Sequence, residues 1–396
     1  MRIPKAAGIA VQSRPLPDGE PLPRVAVISG AVSGGGAENH FARLAEGFFK
    51  ASPHRSIVSL RHTSIQEQAR DGRVVSLGFR SARDYPAAIG ALRALIRETR
   101  ADVVYSLSRC PNVVNIAAAH SLGARPMIAL GINENLEASV KWNGSPSLRF
   151  WRAAERLLYR HADLILTNSP DSASALVREF GCTAGHVCLV RNPIPLAALS
   201  SRAQELRLQG SPLAEPYLLG SGRFVEGKGF DLLLDLYAAL RPRTKPLRLV
   251  MLGDGPLAPA LRQRAKALGI AADVVFPGWC DDPLPWLACA EAFVTPSFHE
   301  GLPNTVLESM ATRVAVVSFL SSGWIERFAA AGAVAAAPVG DLDALRAALE
   351  EVLGDESQRT AMVDAAEREV RQFEAAQVIR EREHLVLEAW RKFRLR

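Results

Sequence analysis

The chain has 396 residues, of which 48% are hydrophobic and 22% charged, and a formal net charge of +6. That length exceeds one ordinary domain, and the composition is that of a folded α/β protein rather than a disordered or fibrous chain. No run of 18 or more apolar residues is present to span a bilayer. Five scattered cysteines (Cys110, Cys182, Cys188, Cys280, Cys289) with no C-x-x-C pair argue against a disulfide framework or a zinc site and fit a reducing cytosol.

The charge is uneven. Residues 1–200 carry 24 Lys and Arg against 15 Asp and Glu, and the remainder 23 against 26. A basic first half suits an anionic membrane surface or a phosphate-bearing acceptor. Nucleic acid is disfavoured, because neither stacking aromatics nor a known binding module accompanies the charge.

In chain order, residues 1–23 are broken by five prolines and read as a mobile tail without a signal-peptide core. Short β-branched runs then alternate with amphipathic segments, which predicts parallel sheets with crossover helices. Strands are expected at 24–29, 56–60, 74–77, 102–106, 127–130 and 163–167, with a further run at 186–190. Helices are expected at 37–50, 87–98 and 148–159. Pro193 and Pro195 stop regular structure, and the polar stretch 196–216 shows no strand period, so the domain boundary is placed there. The alternation restarts with strands at 217–220, 248–252, 273–276, 292–295, 314–319 and 333–336. Helices are expected near 230–240, 256–268, 283–288, 303–311 and 323–330, and the tail 341–393 is helical in pattern. Two doubly wound domains, 24–200 and 201–375, would face each other across a cleft, with ligands at the carboxyl ends of the strands. A last helix, 376–396, can cross back to the first domain.

Each half opens with a strand, a glycine-bearing loop and a helix. The first loop contains Gly34-Gly35-Gly36, which lets backbone amides approach a ligand at a helix N-terminus. It has neither the G-x-G-x-x-G spacing of a dinucleotide fold nor the G-K-[ST] of a P-loop, and alone it reads equally as a flexible loop. The second loop, Gly220 to Gly229, carries Arg223 and Lys228 just past a strand end. Two cations there can neutralise a departing diphosphate, although loop cations are more often solvated surface charges. The segment Thr295 to Glu308 follows a strand and enters a helix, with Pro303 suited to its first turn. Glu300 before that helix and Glu308 on it can accept hydrogen bonds from sugar hydroxyls; alternatively Glu300 caps the helix and Glu308 faces solvent.

Arg223 and Lys228, Gly253-Asp254-Gly255-Pro256, Phe276-Pro277-Gly278-Trp279, and Glu300 with Glu308 occur in that order. Together they resemble the retaining glycosyltransferases of family 4, whose fold is GT-B: two Rossmann-like doubly wound α/β domains. The resemblance runs from Arg24 onward and is strongest over 217–343. It adds Gly35-Gly36-Ala37-Glu38 and the stretch 159–193 in the first half. It implies that Arg223 and Lys228 contact the donor diphosphate, Glu300 the transferred sugar and Glu308 the ribose. The turn Gly301-Leu302-Pro303-Asn304-Thr305 would bring backbone amides to sugar and phosphates, with Gly222 in the diphosphate loop. Gly278 and Trp279 would border the base, and Gly35 and Gly36 would close from the opposite domain. No cofactor or metal is implied; the donor is a nucleotide diphosphate-sugar, UDP favoured over GDP, and Asp281-Asp282 is adjacent rather than a spaced D-x-D.

The family pattern is not followed everywhere. Arg313 and Ala315 stand where relatives usually carry glycine and proline, and a third-glutamate turn appears as Ser321 to Glu326, where Trp324 is read as a packing residue. Many relatives place a histidine after the strand at 127–130; here the stretch is Gly131-Ile132-Asn133-Glu134-Asn135, so Asn133 and Glu134 are the acceptor-side candidates, and His120 one helix earlier reads as structural. Arg149, Arg152, Arg156 and Arg160 fall on one stripe of the helix at 148–159. They suit either anionic lipid or plain solvent. The resulting expectation is a cytoplasmic enzyme, at or near the inner face of the cytoplasmic membrane. It would transfer a sugar with retention to a glycan or lipid-linked acceptor in surface polysaccharide assembly. The competing expectation is a sugar-nucleotide-binding GT-B protein with impaired catalysis.

Overall fold

The computed structural model describes residues 22–29, 44, 47–50, 52, 55–59, 73–76, 84–133, 136, 146–240 and 246–396. The tail 1–21, most of the segment 37–50 and the Gly34-Gly35-Gly36 loop lie outside the described residues. Two wholly parallel sheets organise the rest. The first has the spatial order Arg73–Ser76, Ser56–Ser59, Val25–Ser29, Val103–Leu107, Met127–Ile132, Leu164–Thr167, Val187–Leu189, and the second Val274–Gly278, Arg248–Leu252, Tyr217–Ser221, Ala292–Thr295, Val316–Phe319, Ala335–Ala337.

The first sheet comprises β1 (Val25–Ser29), β2 (Ser56–Ser59), β3 (Arg73–Ser76), β4 (Val103–Leu107), β5 (Met127–Ile132), β6 (Leu164–Thr167) and β7 (Val187–Leu189). Its central strands are buried along their whole length, which is why they read as continuous apolar runs rather than alternating ones. Ala26, Ile28, Val104 and Ile128 face one core, with the helices Tyr85–Thr99 and Arg109–His120 packed over it. Val25, Val27, Tyr105 and Met127 face the other, and that core includes Val386, Leu387 and Trp390 of the last helix, Ala375–Arg394.

The second sheet repeats the plan with β8 (Tyr217–Ser221), β9 (Arg248–Leu252), β10 (Val274–Gly278), β11 (Ala292–Thr295), β12 (Val316–Phe319) and β13 (Ala335–Ala337). Helices cover both of its faces around two apolar cores. In each sheet the order turns back beside the first strand, at β1/β4 and at β8/β11. Such a switch point opens a crevice at the carboxyl ends.

One expectation needs correction. The polar stretch 196–216 contains a regular helix, Leu196–Gln209. Only Ala203 is fully buried, with Leu196 and Leu199 half-buried against the core of the second half, so its apolar period is weak. Arginines complete the docking: Arg207 Nε donates to Ala288 O at 2.8 Å and Arg207 Nη2 to Thr312 O, while Arg202 pairs with Asp282. All these contacts are with the second half, so a division between residues 200 and 201 would cut a helix that packs there.

The crossover lies just upstream. Ile194 N donates to Phe373 O (2.8 Å) and Ile194 O accepts from Ala375 N (2.9 Å), so the outgoing and returning chain segments bond to each other. Arg382, fully buried on the last helix, locks this joint: its guanidinium donates to Arg191 O at 2.6 Å and to the Tyr105 hydroxyl at 3.2 Å. Burial pushes the Arg382 guanidinium pKa down and the Tyr105 phenol up, and the bond between the two opposes both shifts.

Candidate functional site

The carboxyl ends of β8 to β12 carry the glycine-rich loops. After β8 the chain passes through Gly222 and exposed Arg223, buries Phe224, and makes a tight turn at Glu226–Lys228 before the helix Phe230–Ala239. Gly229 ends that turn at φ 64, and a Cβ there would sit 2.2 Å from Pro296 O. The turn therefore lies flush against the loop after β11, and Phe298 N donates to Gly227 O at 3.1 Å.

The Gly253-Asp254-Gly255-Pro256 motif has a similar packing role. Gly253, at φ 143, donates its N–H to Gly278 O at 2.9 Å, and a Cβ on it would fall 1.9 Å from Gly222 O. Phe224 N in turn donates to Asp254 O at 2.9 Å. Three strand-end loops are thus fixed by main-chain contacts that admit no side chain at this point.

That packing brings two of the candidate side chains together. Lys228 Nζ lies 2.5 Å from Glu300 Oε1, with the lysine side chain 34% and the glutamate 12% exposed. Glu300 is held from behind, its N–H donating to Ser321 O at 3.0 Å. Arg223 stands on the same loop as Lys228, exposed. Gly301, Leu302 and Pro303 lead into the helix Asn304–Ala311, with Leu302 and Pro303 buried and Pro303 as the residue before the first turn. Asn304 and Thr305 open that helix, and Glu308 follows one turn in, half-buried. Gly278 ends β10, and Trp279 beyond it is 51% exposed, its indole N–H donating to Asp281 Oδ1 at 2.9 Å. Asp281 and Asp282 diverge, since Asp282 accepts from Arg202 and from Leu284 N.

On the first half, Gly35, Gly36 and Glu134 lie outside the described residues. Asn133 directly follows β5, and both polar atoms of its amide are buried without a hydrogen-bond partner among the described residues. Beside it, Asn168 follows β6. Its Nδ2 donates to Asn192 Oδ1 (3.0 Å), while its own Oδ1 is buried without a partner among the described residues. Asn192 Nδ2 reaches the second half, donating to Leu302 O (3.1 Å) and Asn304 Oδ1 (2.8 Å). Trp324 returns the contact, its Nε1–H donating to Asn168 O at 2.7 Å while its ring packs against Phe328 and Phe373. Ser321 Oγ, on the residue whose carbonyl holds Glu300, is also buried without a partner among the described residues.

Sequence reasoning missed this row of amides. The available signal was an asparagine next to a proline or a serine-proline at two successive strand ends, Thr167-Asn168-Ser169-Pro170 and Arg191-Asn192-Pro193. His120 sits at the far end of its helix from the cleft, exposed, with its ring 5.0 Å from that of His161.

One departure from the family pattern and one basic stripe resolve physically. Arg313 adopts φ 59, the left-handed region that favours glycine, so the position itself asks for the residue relatives usually carry. Here arginine takes it and pairs with Asp364 (2.7 Å) and Glu367. The arginine stripe is likewise not a single solvent face. Arg152 is 7% exposed, donates to Leu136 O, pairs with buried Glu155 and lies over the Phe180 ring at 4.7 Å. Arg156 remains outside, 3.4 Å from Glu179.

Two family models match, one on each half. Glycosyl transferases group 1 covers residues 215–355 and Glycosyltransferase Family 4 covers residues 34–198. The lipopolysaccharide core biosynthesis glycosyltransferase LpsE of Rhizobium meliloti is 37% identical over 39% of this chain and 44% of its own. The N-acetylgalactosamine-N,N'-diacetylbacillosaminyl-diphospho-undecaprenol 4-alpha-N-acetylgalactosaminyltransferase of Campylobacter jejuni is 30% identical over 57% of this chain and 60% of its own. The chain thus spans about half the length of these curated relatives. Among solved structures, Anabaena HepE in complex with UDP and glucose superposes with a TM-score of 0.77 at 18% identity, covering 93% of this chain and 100% of that one. Sucrose-phosphate synthase from Thermosynechococcus elongatus gives 0.80 at 17%, covering 93% and 99%. At these identities the superpositions speak for the fold, which is GT-B. With a matching model on each Rossmann-like half and the strand order of that fold in both sheets, the chain belongs to the group 1/family 4 glycosyltransferases.

Proposed function

We propose that the chain moves a sugar, with retention of configuration and without a metal, from a nucleotide diphosphate-sugar to a glycan or lipid-linked acceptor in surface polysaccharide or lipopolysaccharide assembly. The observation that carries this reading is the Lys228–Glu300 pair, 2.5 Å apart in a main-chain-locked pocket at the end of the second sheet. A cation for phosphate and a carboxylate for hydroxyls sit side by side, as a phosphorylated sugar requires. Donor binding exchanges the internal pair for two external ones: Lys228, with Arg223, takes the diphosphate, and Glu300 the sugar hydroxyls. Glu308 on the helix Asn304–Ala311 takes the ribose, the amides of residues 301–305 approach sugar and phosphates, and Gly278 and Trp279 border the base.

As the glycosidic bond to the leaving phosphate breaks, negative charge gathers on the diphosphate. Fixed cations and helix-end amides stabilise that charge without reorganising, which removes the need for a metal at this step. Gly35 and Gly36 would close on the diphosphate from the first half, and Asn133 and Glu134 would face the acceptor. UDP is favoured as the nucleotide, in line with the complex named for HepE. A lipid-linked acceptor, as the name of the Campylobacter jejuni relative specifies for that enzyme, would bring the chain into peripheral contact with the inner face of the cytoplasmic membrane. No helix among the described residues is long and apolar enough to cross a bilayer.

The test is nucleotide release from a panel of UDP- and GDP-sugars by the purified chain with an acceptor glycolipid extract. Lys228→Ala should lower turnover by roughly 10²–10³, the usual effect of removing one charge-stabilising donor, with unchanged thermal unfolding. Near-normal turnover by that variant would refute the assignment, and failure to release nucleotide from any sugar would favour a binding protein instead.

A further inference from the structure

A second concave surface lies on the first half at the opposite ends of the strands. It is a cavity of about 530 Å³ bordered by residues that precede β1, β4 and β5, namely Arg24, Asp102 and Pro126. Because these strands are parallel, all three mark amino-terminal ends. A strand rises about 3.3 Å per residue, so the five residues of β4 put this cavity roughly 15 Å or more from the cleft.

Its lining is strongly unbalanced in charge. Five arginines border it against one carboxylate, Asp102. That carboxylate is already committed, accepting from Arg24 N (2.8 Å), Nε (3.0 Å) and Nη2 (3.0 Å). Arg125 is held by Asp163 through two bonds of 2.6 and 2.9 Å and lies over the Phe393 ring at 4.8 Å. Arg97, Arg100 and Arg394 remain; none forms an ion pair within 4 Å among the described residues, although Arg394 is near enough to Asp102 to attract it. Favourable helix C-terminal dipoles explain why cations are tolerated here, since Arg97 lies in the last turn of its helix and Arg394 ends the last one. They do not explain why three converge on one hollow.

Two further features point to an occupant. Arg100 caps its helix at φ 48, a left-handed position where glycine is preferred and a side chain costs about 1 kcal/mol. The hollow also has an aromatic wall: Arg394 stacks on Trp390 at 4.9 Å, Phe393 lies alongside, and Leu395 just beyond is 88% exposed. Planar guanidiniums offering paired N–H groups match phosphate oxygens, and the aromatic wall suits an apolar neighbour of that phosphate.

We propose that this cavity binds a phosphate-bearing ligand through Arg97, Arg100 and Arg394. The same chemistry is supplied by the headgroup of an anionic lipid or by a free polyphosphate. The site goes beyond the donor cleft, and its lipid form would give the membrane contact proposed above a definite address.

The full chain would be tested at low ionic strength in two arms. One is calorimetry with inorganic tripolyphosphate, the other flotation with vesicles of phosphatidylglycerol in phosphatidylcholine, with phosphatidylcholine alone as control. The variants are Arg97→Gln/Arg394→Gln and Arg100→Gly, the latter removing the guanidinium while giving the backbone its preferred residue, so its melting temperature should not fall. Each should weaken binding about tenfold or more, ~1.4 kcal/mol, while nucleotide release with a soluble acceptor persists. Lys228→Ala serves as the reverse control, because it alters the donor site and should leave the variant-sensitive binding intact. Variant-sensitive binding of tripolyphosphate assigns a soluble ligand; variant-sensitive flotation alone assigns a lipid headgroup. Absence of wild-type binding in both arms, or binding that the three arginines do not change, overturns the proposal.

Discussion

The two halves share one strand order and yet finish their cleft-facing edges in opposite ways. On the second half, the loops after β8, β9, β10 and β11 are closed on each other through Gly222, Gly229, Gly253 and Gly278, and its lysine and glutamate satisfy each other. On the first half, the ends of β5 and β6 leave amide atoms of Asn133 and Asn168 buried without a hydrogen-bond partner among the described residues. A closed edge holds charge in a fixed geometry, which is what a departing diphosphate needs. An edge with unpartnered amides carries a cost of about 1–3 kcal/mol per group, which a ligand rich in hydroxyls would relieve by donating and accepting at once. On the proposed function, the contrast is that of a preorganised donor side and an acceptor side completed by what it binds.

The largest effect expected from breaking the contrast is on the closed edge. Gly253→Ala would place a methyl group 1.9 Å from the backbone oxygen of Gly222 at φ 143, so the neighbouring loop must move. Overpacking against main chain together with the unfavourable φ should cost about 3 kcal/mol, read as a lower urea midpoint. Because the displaced backbone adjoins Arg223, nucleotide release should fall with it. An alanine variant as stable and active as the parent would show that the loops are not locked as described.

The open edge should respond with the opposite sign. Asn133→Leu removes a buried amide that has no partner among the described residues, so stability should stay level or rise by up to ~1 kcal/mol. Transfer to acceptor should nevertheless drop about tenfold, the loss of one good polar contact, with donor hydrolysis in the absence of acceptor less affected. If the leucine variant unfolds more easily, Asn133 is a structural residue and the comparison between the edges fails.

How much of this was legible in the sequence follows from the same physics. The strands could be read because they are buried on both faces, so local composition reports them directly. The loop with Arg223 and Lys228 and the segment with Glu300 and Glu308 stood out because strand, glycine and helix signals frame each of them. The helix Leu196–Gln209 could not be read, since one buried alanine and two half-buried leucines leave only a weak apolar period and its arginine Arg207 bonds to distant carbonyls. Arg152 misled for a related reason: helical projection places it on a basic stripe, but Glu155, Leu136 O and Phe180 turn it inward. The amide row was invisible because each of its links joins residues far apart in sequence, Asn168 to Asn192 and Asn192 to Asn304. Periodicity carries no information about such pairs.

The smallest effect tests whether a departure from the family pattern weakens the closed half or is compensated within it. Arg313 pays for a left-handed backbone at φ 59 and gains two ion pairs at the surface, with Asp364 and Glu367. Those partners are 46% and 43% exposed, so the pairs together should contribute no more than about 1 kcal/mol. Arg313→Ala loses the pairs and keeps the strain, and should destabilise by roughly that amount. Arg313→Gly loses the same pairs and sheds the strain of about 1 kcal/mol, partly offset by the greater freedom of glycine in the unfolded chain. Glycine should therefore be the more stable of the two by about 0.5–1 kcal/mol, and both should release nucleotide normally because the position lies beyond the helix that bears Glu308. If alanine proves the more stable, the left-handed conformation at 313 is not what the sequence departure is answering. If both variants lose activity, the ion pairs reach the site through the helix Asn304–Ala311, and Arg313 belongs to the donor half's machinery rather than to its surface.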